Sequence, residues 1–305
     1  MDTENICDGD FENEGCKLRN PNLQSLSSDK LYHLGLGTET HDLESMFGDL
    51  KFVCIGGSAH RMKNFAQYIA EQLNIPTDLS DITGHAHRYS MFKVGPVLSI
   101  SHGIGSPSLA VMLDELFKLL SYAKCKNVTI IRIGTCGGIG VQPGSLVVTN
   151  KTVDGLLRPI YEQYILGEVV HREAILDQNL VEEVKEISRE FTHYETVIGS
   201  TMCANDFYES QGRIDGSVCN YMEADKLKFL NKLHDAGVRN IDMECTTLAA
   251  KCYLVNIKCV IINVALINRL KGDQISLSPD KYKEFETRPQ ELAALFIKRK
   301  LQTKN

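Results

Sequence analysis

The sequence predicts an α/β protein: one domain built around a largely parallel or mixed sheet, with helices on its faces. Three observations predict it. β-prone apolar runs alternate with segments whose apolar residues recur at helical spacing. Two of those runs, residues 128–133 (VTIIRI) and 258–266 (KCVIINVAL), are nearly continuous, as expected of strands covered on both faces. No long linker and no internal repeat divides residues 31–301. The length of 305 residues would allow two domains, but one domain over 29–305 is expected.

The elements follow in order. Residues 1–28 are rich in Asn, Asp, Glu and Ser, and they are expected to form a mobile tail with short ordered pieces at most. Residues 51–55 (KFVCI) read as a strand ending at Gly56-Gly57. Met62, Phe65, Ala66, Ile69 and Leu73 then share a helical face. Residues 88–94 and 96–101 read as strands around Gly95. Leu109, Met112, Leu113, Leu116 and Leu120 define a helix over 106–123. The strand at 128–133 runs into a Gly-rich turn, and 145–149 is a further strand. Asp177 is suited to cap a helix carrying Leu180, Val181, Val184 and Ile187. Residues 196–202 return to strand, 223–236 and 246–255 are helical, and 258–266 is strand. Residues 279–300 are largely helical, with an interruption expected near Pro289.

Composition narrows the function classes. Formal net charge is −6, from 33 basic and 39 acidic residues. No basic block is present, which argues against nucleic acid as a partner. No apolar run reaches the ~18 residues of a membrane span, and no secretory signal precedes the domain. Ten cysteines occur without a CxxC pair or a zinc-like Cys/His spacing. A cytoplasmic protein with reduced thiols is expected.

Five constellations could carry chemistry. Gly56-Gly57-Ser58-Ala59-His60-Arg61 joins a strand end to a helix start, where backbone N–H groups and Arg61 could cradle an anion. A tight structural turn explains it equally well. Arg132 sits inside an apolar strand ahead of Gly134-Thr135-Cys136-Gly137-Gly138, so it requires a bound anion or a buried carboxylate. Ser101-His102-Gly103-Ile104-Gly105 lies at a strand's carboxyl end, where open α/β sheets bind ligands, although a plain strand-to-helix turn accounts for most of it. Phe207-Tyr208-Glu209-Ser210-Gln211-Gly212-Arg213 can present an amide and a guanidinium together, suited to an imide edge. From the residues alone a solvated loop is slightly favoured. Asp242-Met243-Glu244 precedes a helix, and its carboxylates serve either vicinal hydroxyls or the helix cap. His85-Ala86-His87-Arg88 has no companion ligand and carries no metal assignment.

At these residues the sequence resembles the uridine phosphorylases of the nucleoside phosphorylase superfamily, in their animal branch. FGDLKFVCIGGSAHRMKNF, YSMFKVGPVLSISHGIGSPS, NVTIIRIGTCGGIG, TMCANDFYESQGRIDG, AGVRNIDME and INRLKGDQI carry the likeness over nearly the whole of 31–301. The resemblance implies a partly barrel-like mixed sheet and reversible phosphorolysis of uridine to uracil and ribose 1-phosphate. Inorganic phosphate is then a co-substrate, and no cofactor or metal is needed. It implies a homodimer with sites shared across the interface. Gly57, Arg61, Arg132 and Thr135 would bind phosphate, with Arg88 supplied by the partner chain. Thr135, Met243 and Glu244 would bind ribose, with His33 from the partner chain. Phe207, Gln211 and Arg213 would hold uracil, supported by Arg269. Arg132, Glu244, Gln211 and Arg213 would form the catalytic set, acting on an oxocarbenium-like transition state with negative charge moving onto the base.

A purine nucleoside phosphorylase and a non-catalytic nucleoside-binding paralogue are the alternatives. The late strand reads Ala265-Leu266-Ile267-Asn268-Arg269, without the acid that purine-specific bacterial relatives carry there. The chain departs from the animal pattern at Val111, Cys136, Ser210, Asp242 and Cys245, and Tyr89 follows Arg88 where some bacterial relatives bind a monovalent cation.

Overall fold

A computed structural model describes residues 15–84 and 86–303. In chain order the elements are β1 (Lys30–Leu31), β2 (Leu36–Gly37), α1 (Leu43–Phe47), β3 (Phe52–Gly56), α2 (Ala59–Leu73), β4 (Met91–Val94), β5 (Val97–Ser101) and α3 (Gly105–Tyr122). They continue with β6 (Thr129–Gly138), β7 (Leu146–Val153), β8 (Ile160–Ile165), β9 (Glu168–Glu173), α4 (Gln178–Ser188) and β10 (Thr196–Cys203). The chain closes with α5 (Glu223–Asp235), β11 (Val238–Asp242), α6 (Cys245–Leu254), β12 (Lys258–Asn268) and α7 (Pro279–Gln302).

One eight-stranded mixed sheet organises them, in the order β11-β10-β7-β12-β6-β3-β5-β4, and β11 also pairs with β6. Five strands therefore close into a barrel, while β3, β5 and β4 extend it as an open flap. The strand β6 belongs to both parts. Thr129–Arg132 pair with β3 in parallel, while Gly137 and Gly138 pair antiparallel with β11. The apolar runs that predicted doubly covered strands are buried here: Ile130, Ile131 and Ile133 of β6, and Val260, Ile261, Ile262 and Val264 of β12, all at 0% exposure. Each such side chain contributes ~1.5–3 kcal/mol of burial. No helix among the described residues is long and apolar enough to cross a membrane.

Several expectations change. The Gly-rich segment after residue 133 is not a turn: β6 runs on to Gly138. Its glycines make room for neighbouring polar groups. A Cβ on Gly134 would lie 2.1 Å from Asn263 Oδ1, and one on Gly137 would lie 2.9 Å from Arg269 Cγ. The strand expected from residue 88 begins at Met91, which leaves Arg88 exposed in the preceding loop. Pro289 does not interrupt α7. Packing of Phe285, Leu292, Ala293, Phe296 and Ile297 carries the helix through the missing N–H. The β8–β9 hairpin was not expected at all, because its turn places Leu166 (φ 53°) where Asn or Gly is usual.

Residues 1–14 of the expected tail, and His85 of the His-Ala-His segment, lie outside the described residues. From Gly15 the chain runs along the body. Gly15 bridges to Lys126, Lys17 N–H donates to the Val255 carbonyl at 3.0 Å, and Asp29 pairs with Lys118 at 2.8 Å.

Candidate active site

The carboxyl ends of β3, β5, β6, β11 and β12 converge on a cavity of about 310 Å³, the usual ligand position in α/β sheets. Gly57, Arg61, Arg132, Thr135, Phe207, Gln211, Arg213, Met243, Glu244 and Arg269 all line it. A larger cavity, about 650 Å³, lies beside the hairpin and contains none of these residues. Chemistry rather than size therefore picks out the smaller one.

At its centre is Arg132. The protein itself supplies the counter-charge that its burial requires. Nη1 donates to Asn263 Oδ1 at 2.7 Å and lies 2.9 Å from Asp242 Oδ2, and Nη2 donates to Glu244 Oε2. The buried carboxylate pairing is thus realised, and Arg132 faces the cavity as well. Glu244 Oε1 also accepts the N–H of Gly105, the first residue of α3, at 2.6 Å. Burial alone would raise the Glu244 carboxyl, but Arg132 and the Gly105 and Met243 N–H groups outweigh it and hold it below the usual range. Burial and the neighbouring Glu244 charge push Asp242 the other way, against Arg132. Asp242 also caps α6 by accepting from Cys245 N–H at 3.1 Å. Of the two functions foreseen for this segment, the helix cap is realised by Asp242, while Glu244 pairs with Arg132 and lines the cavity.

At one end lie Gln211, Arg213 and Arg269. Gln211 and Arg213 are only 5% and 7% exposed, although Phe207 and Tyr208 stay open to solvent, so the solvated-loop preference drawn from the residues alone fails at the amide–guanidinium pair. Asp206 organises it, accepting from Tyr208 N–H at 2.6 Å and Ser210 N–H at 2.8 Å. Ser210 sits in the short 3₁₀ turn Glu209–Gln211, and the left-handed position falls on Gly212 (φ 63°). The substitution at 210 therefore needs no strained backbone. Arg213 makes a two-pronged contact with Asp215 (2.9 and 2.6 Å), donates to the Asp273 carbonyl at 2.8 Å, and stacks 4.5 Å above the Phe207 ring. Arg269 donates to the Gln211 carbonyl at 2.9 Å and to Asp273 Oδ1 at 2.9 Å. Asp273 also takes Lys226 Nζ at 2.9 Å and Ile214 N–H at 3.1 Å. These partners occupy the Asp273 carboxylate, which does not line the cavity.

At the other end, Ser58 caps α2 and places Arg61 beside the Gly57 turn. The Arg61 guanidinium is held by Glu286 of α7, through Nε at 3.1 Å and Nη2 at 2.5 Å. Cys136 also lines the cavity, and burial pushes its thiol up to about 12, so it stays neutral.

His33 and Arg88 do not reach this cavity. Glu115 Oε1 holds His33 Nδ1 at 2.6 Å and accepts its backbone N–H, and the ring lies 6.3 Å from that of Tyr89, the neighbour of Arg88. Arg88 is exposed in the loop before β4. Sequence reasoning missed Glu286, Asp273, Asp215, Lys226 and Asn263 as supports. Asp215 and Asp273 carried a signal, inside the quoted TMCANDFYESQGRIDG and INRLKGDQI segments.

A barrel-and-flap fold whose cavity runs from Arg61 at one end, past Arg132 and Glu244, to an amide–guanidinium pair at the other defines a phosphorylase-type protein. A sequence model of the phosphorylase superfamily matches residues 51–301, and the chain belongs to that superfamily. Uridine phosphorylase 2 of Mus musculus is 50% identical over 287 residues, 93% of this chain and 90% of its own. A structure of uridine phosphorylase from Schistosoma mansoni in complex with 5-fluorouracil superposes with a TM-score of 0.90 at 41% identity, covering 93% of this chain and 98% of that one. Inactive uridine phosphorylase B of the same organism is 38% identical over 281 residues, 92% of this chain and 95% of its own. Within the superfamily, the chain is a member of the uridine phosphorylase family.

Proposed function

We propose that the chain catalyses the reversible, phosphate-dependent cleavage of uridine to uracil and ribose 1-phosphate, as a cytoplasmic homodimer in pyrimidine salvage and catabolism. One observation carries the reading: a single cavity holds Arg61 and the Gly57 turn at one end, Arg132 with Glu244 in the middle, and Gln211 with Arg213 and Arg269 at the other. That order matches phosphate, ribose and imide base.

A phosphate oxygen forms a bond to C1′ while the C1′–N1 bond breaks, its electron pair passing into the base. Monohydrogen phosphate loses its proton on becoming the ester, and the departing uracil gains one, so the reaction balances without a cofactor. Arg61, Arg132, Thr135 and the Gly57 turn position phosphate, with Arg88 from the partner subunit, which saves orientational entropy. Met243 and Glu244 hold the ribose, with His33 from the partner subunit. Arg213 and Gln211 stabilise charge growing on the uracil oxygens, with Phe207 stacking on the ring and Arg269 buttressing Gln211. Asp273, the first acid after β12, is bound by Lys226 and Arg269. It is not available to protonate a purine.

The likeness to an inactive relative makes a non-catalytic nucleoside-binding role the second reading. Incubation with uridine, thymidine or inosine, each with phosphate, separates the readings. Uracil release from uridine is expected, with inosine left intact. Turnover of inosine alone would indicate the purine activity, and uridine binding without any product would indicate the second reading.

A further inference from the structure

His102 follows β5, and its backbone is pinned on both sides. Its N–H donates to the Gly56 carbonyl at 2.8 Å, and its carbonyl accepts from the Ser108 hydroxyl at 2.6 Å. The residue is 1% exposed, and neither Nδ1 nor Nε2 has a hydrogen-bond partner. Leaving two ring nitrogens unmet in the interior is unfavourable, and native proteins rarely do so without a reason. The reason lies in the cavity, which His102 lines together with Gly57, Arg61 and Arg132.

We propose that His102 contacts inorganic phosphate directly, donating one ring N–H to a phosphate oxygen between the Gly57 turn and the two arginines. This assignment rests on the phosphorolysis reading. The charged groups acting on the ring are Glu244, Arg132 and Arg61. Burial first, and then the two guanidiniums, keep it neutral against the pull of Glu244. A neutral imidazole offers one donor and one acceptor. A donor is needed there because Glu286 already engages Arg61, while Asp242 and Glu244 engage Arg132. A further N–H at the site adds to the hold on the dianion without adding another buried cation.

Phosphate binding measured by calorimetry, without nucleoside, tests the assignment apart from turnover. His102→Ala is expected to weaken phosphate affinity by about tenfold or more and to leave uracil affinity unchanged. His102→Gln, which restores a side-chain N–H, is expected to recover part of the loss. Phosphate binding to folded His102→Ala as tight as to the native protein would overturn the assignment. If the alanine variant does not fold, ¹⁵N spectra of the native His102 ring decide: phosphate is expected to shift its nitrogens, and unmoved resonances would overturn the contact. If the native protein takes up no phosphate at all, the phosphorolysis reading falls, and this assignment with it.

Discussion

Arg61 and Glu286 stand 225 residues apart in the chain, yet they meet through two hydrogen bonds to a single carboxylate oxygen, at 3.1 and 2.5 Å. The pair joins α2 to α7, with Arg61 and Glu286 only 12% and 22% exposed at their side chains. Because Nε and Nη2 are taken, Nη1 is the part of the fork left beside the Gly57 turn, 3.9 Å from where a Cβ there would stand. Glu286 thus sets which edge of the guanidinium faces the cavity.

Glu286→Ala is therefore expected to raise KM for phosphate several-fold while leaving KM for uridine nearly unchanged, because a freed Arg61 loses its orientation. Glu286→Gln, which can still accept from Nε, is expected to fall between. Steady-state kinetics with each substrate varied in turn checks this, and equal rises in both KM values would refute the orienting role.

Arg213 is predicted to act most strongly in the transition state. Asp215 and Asp273 fix its guanidinium before substrate arrives, and such preorganised donors are worth ~10²–10³ in kcat. Arg213→Ala should lower kcat by about 100-fold as well as raising KM. A variant with native kcat would remove Arg213 from the chemistry.

The neutral His102 predicts a pH dependence of stability. Burial, helped by Arg132 and Arg61 and opposed by Glu244, lowers its pKa from 6.5 to about 4. The unfolded chain takes up a proton as pH falls below 6.5, and the folded protein does not. This group's contribution therefore fades as pH drops from about 6.5 to about 4, by roughly 3 kcal/mol in all. Urea unfolding should show His102→Gln losing less stability than the native protein over that window. Parallel losses would contradict a buried neutral ring.

His33 and Arg88 predict dependence on a partner chain. Neither lines the cavity of this chain: His33 is held by Glu115, and Arg88 is exposed in the loop before β4. Activity should fall with dilution in step with dissociation, as followed by sedimentation. Full activity in a demonstrated monomer would refute the shared site.

Much of this was legible in the sequence, and the reasons for the gaps are local. Arg132 announced itself because a lone Arg in an apolar strand must meet an anion. That Asp242 and Glu244 would be the ones to meet it depended on β11 closing the barrel against β6, which periodicity does not reveal. The glycines after Ile133 looked like a turn because close approach by Arg269 and Asn263 demands glycine as firmly as a turn does. Gln211 and Arg213 were visible as a pair, but their burial was not. It comes from Arg269 and Asp273, some 60 residues on. Glu286 gave no signal, since an acid on an amphipathic helix ordinarily faces water.

The central claim is that phosphate, not water, takes the ribose. Supplying uridine with ³²P-labelled inorganic phosphate tests it most directly. The account predicts labelled ribose 1-phosphate formed one-for-one with uracil, and no uracil without phosphate. Uracil release that continues without phosphate, or bound uridine that yields neither product, would contradict it.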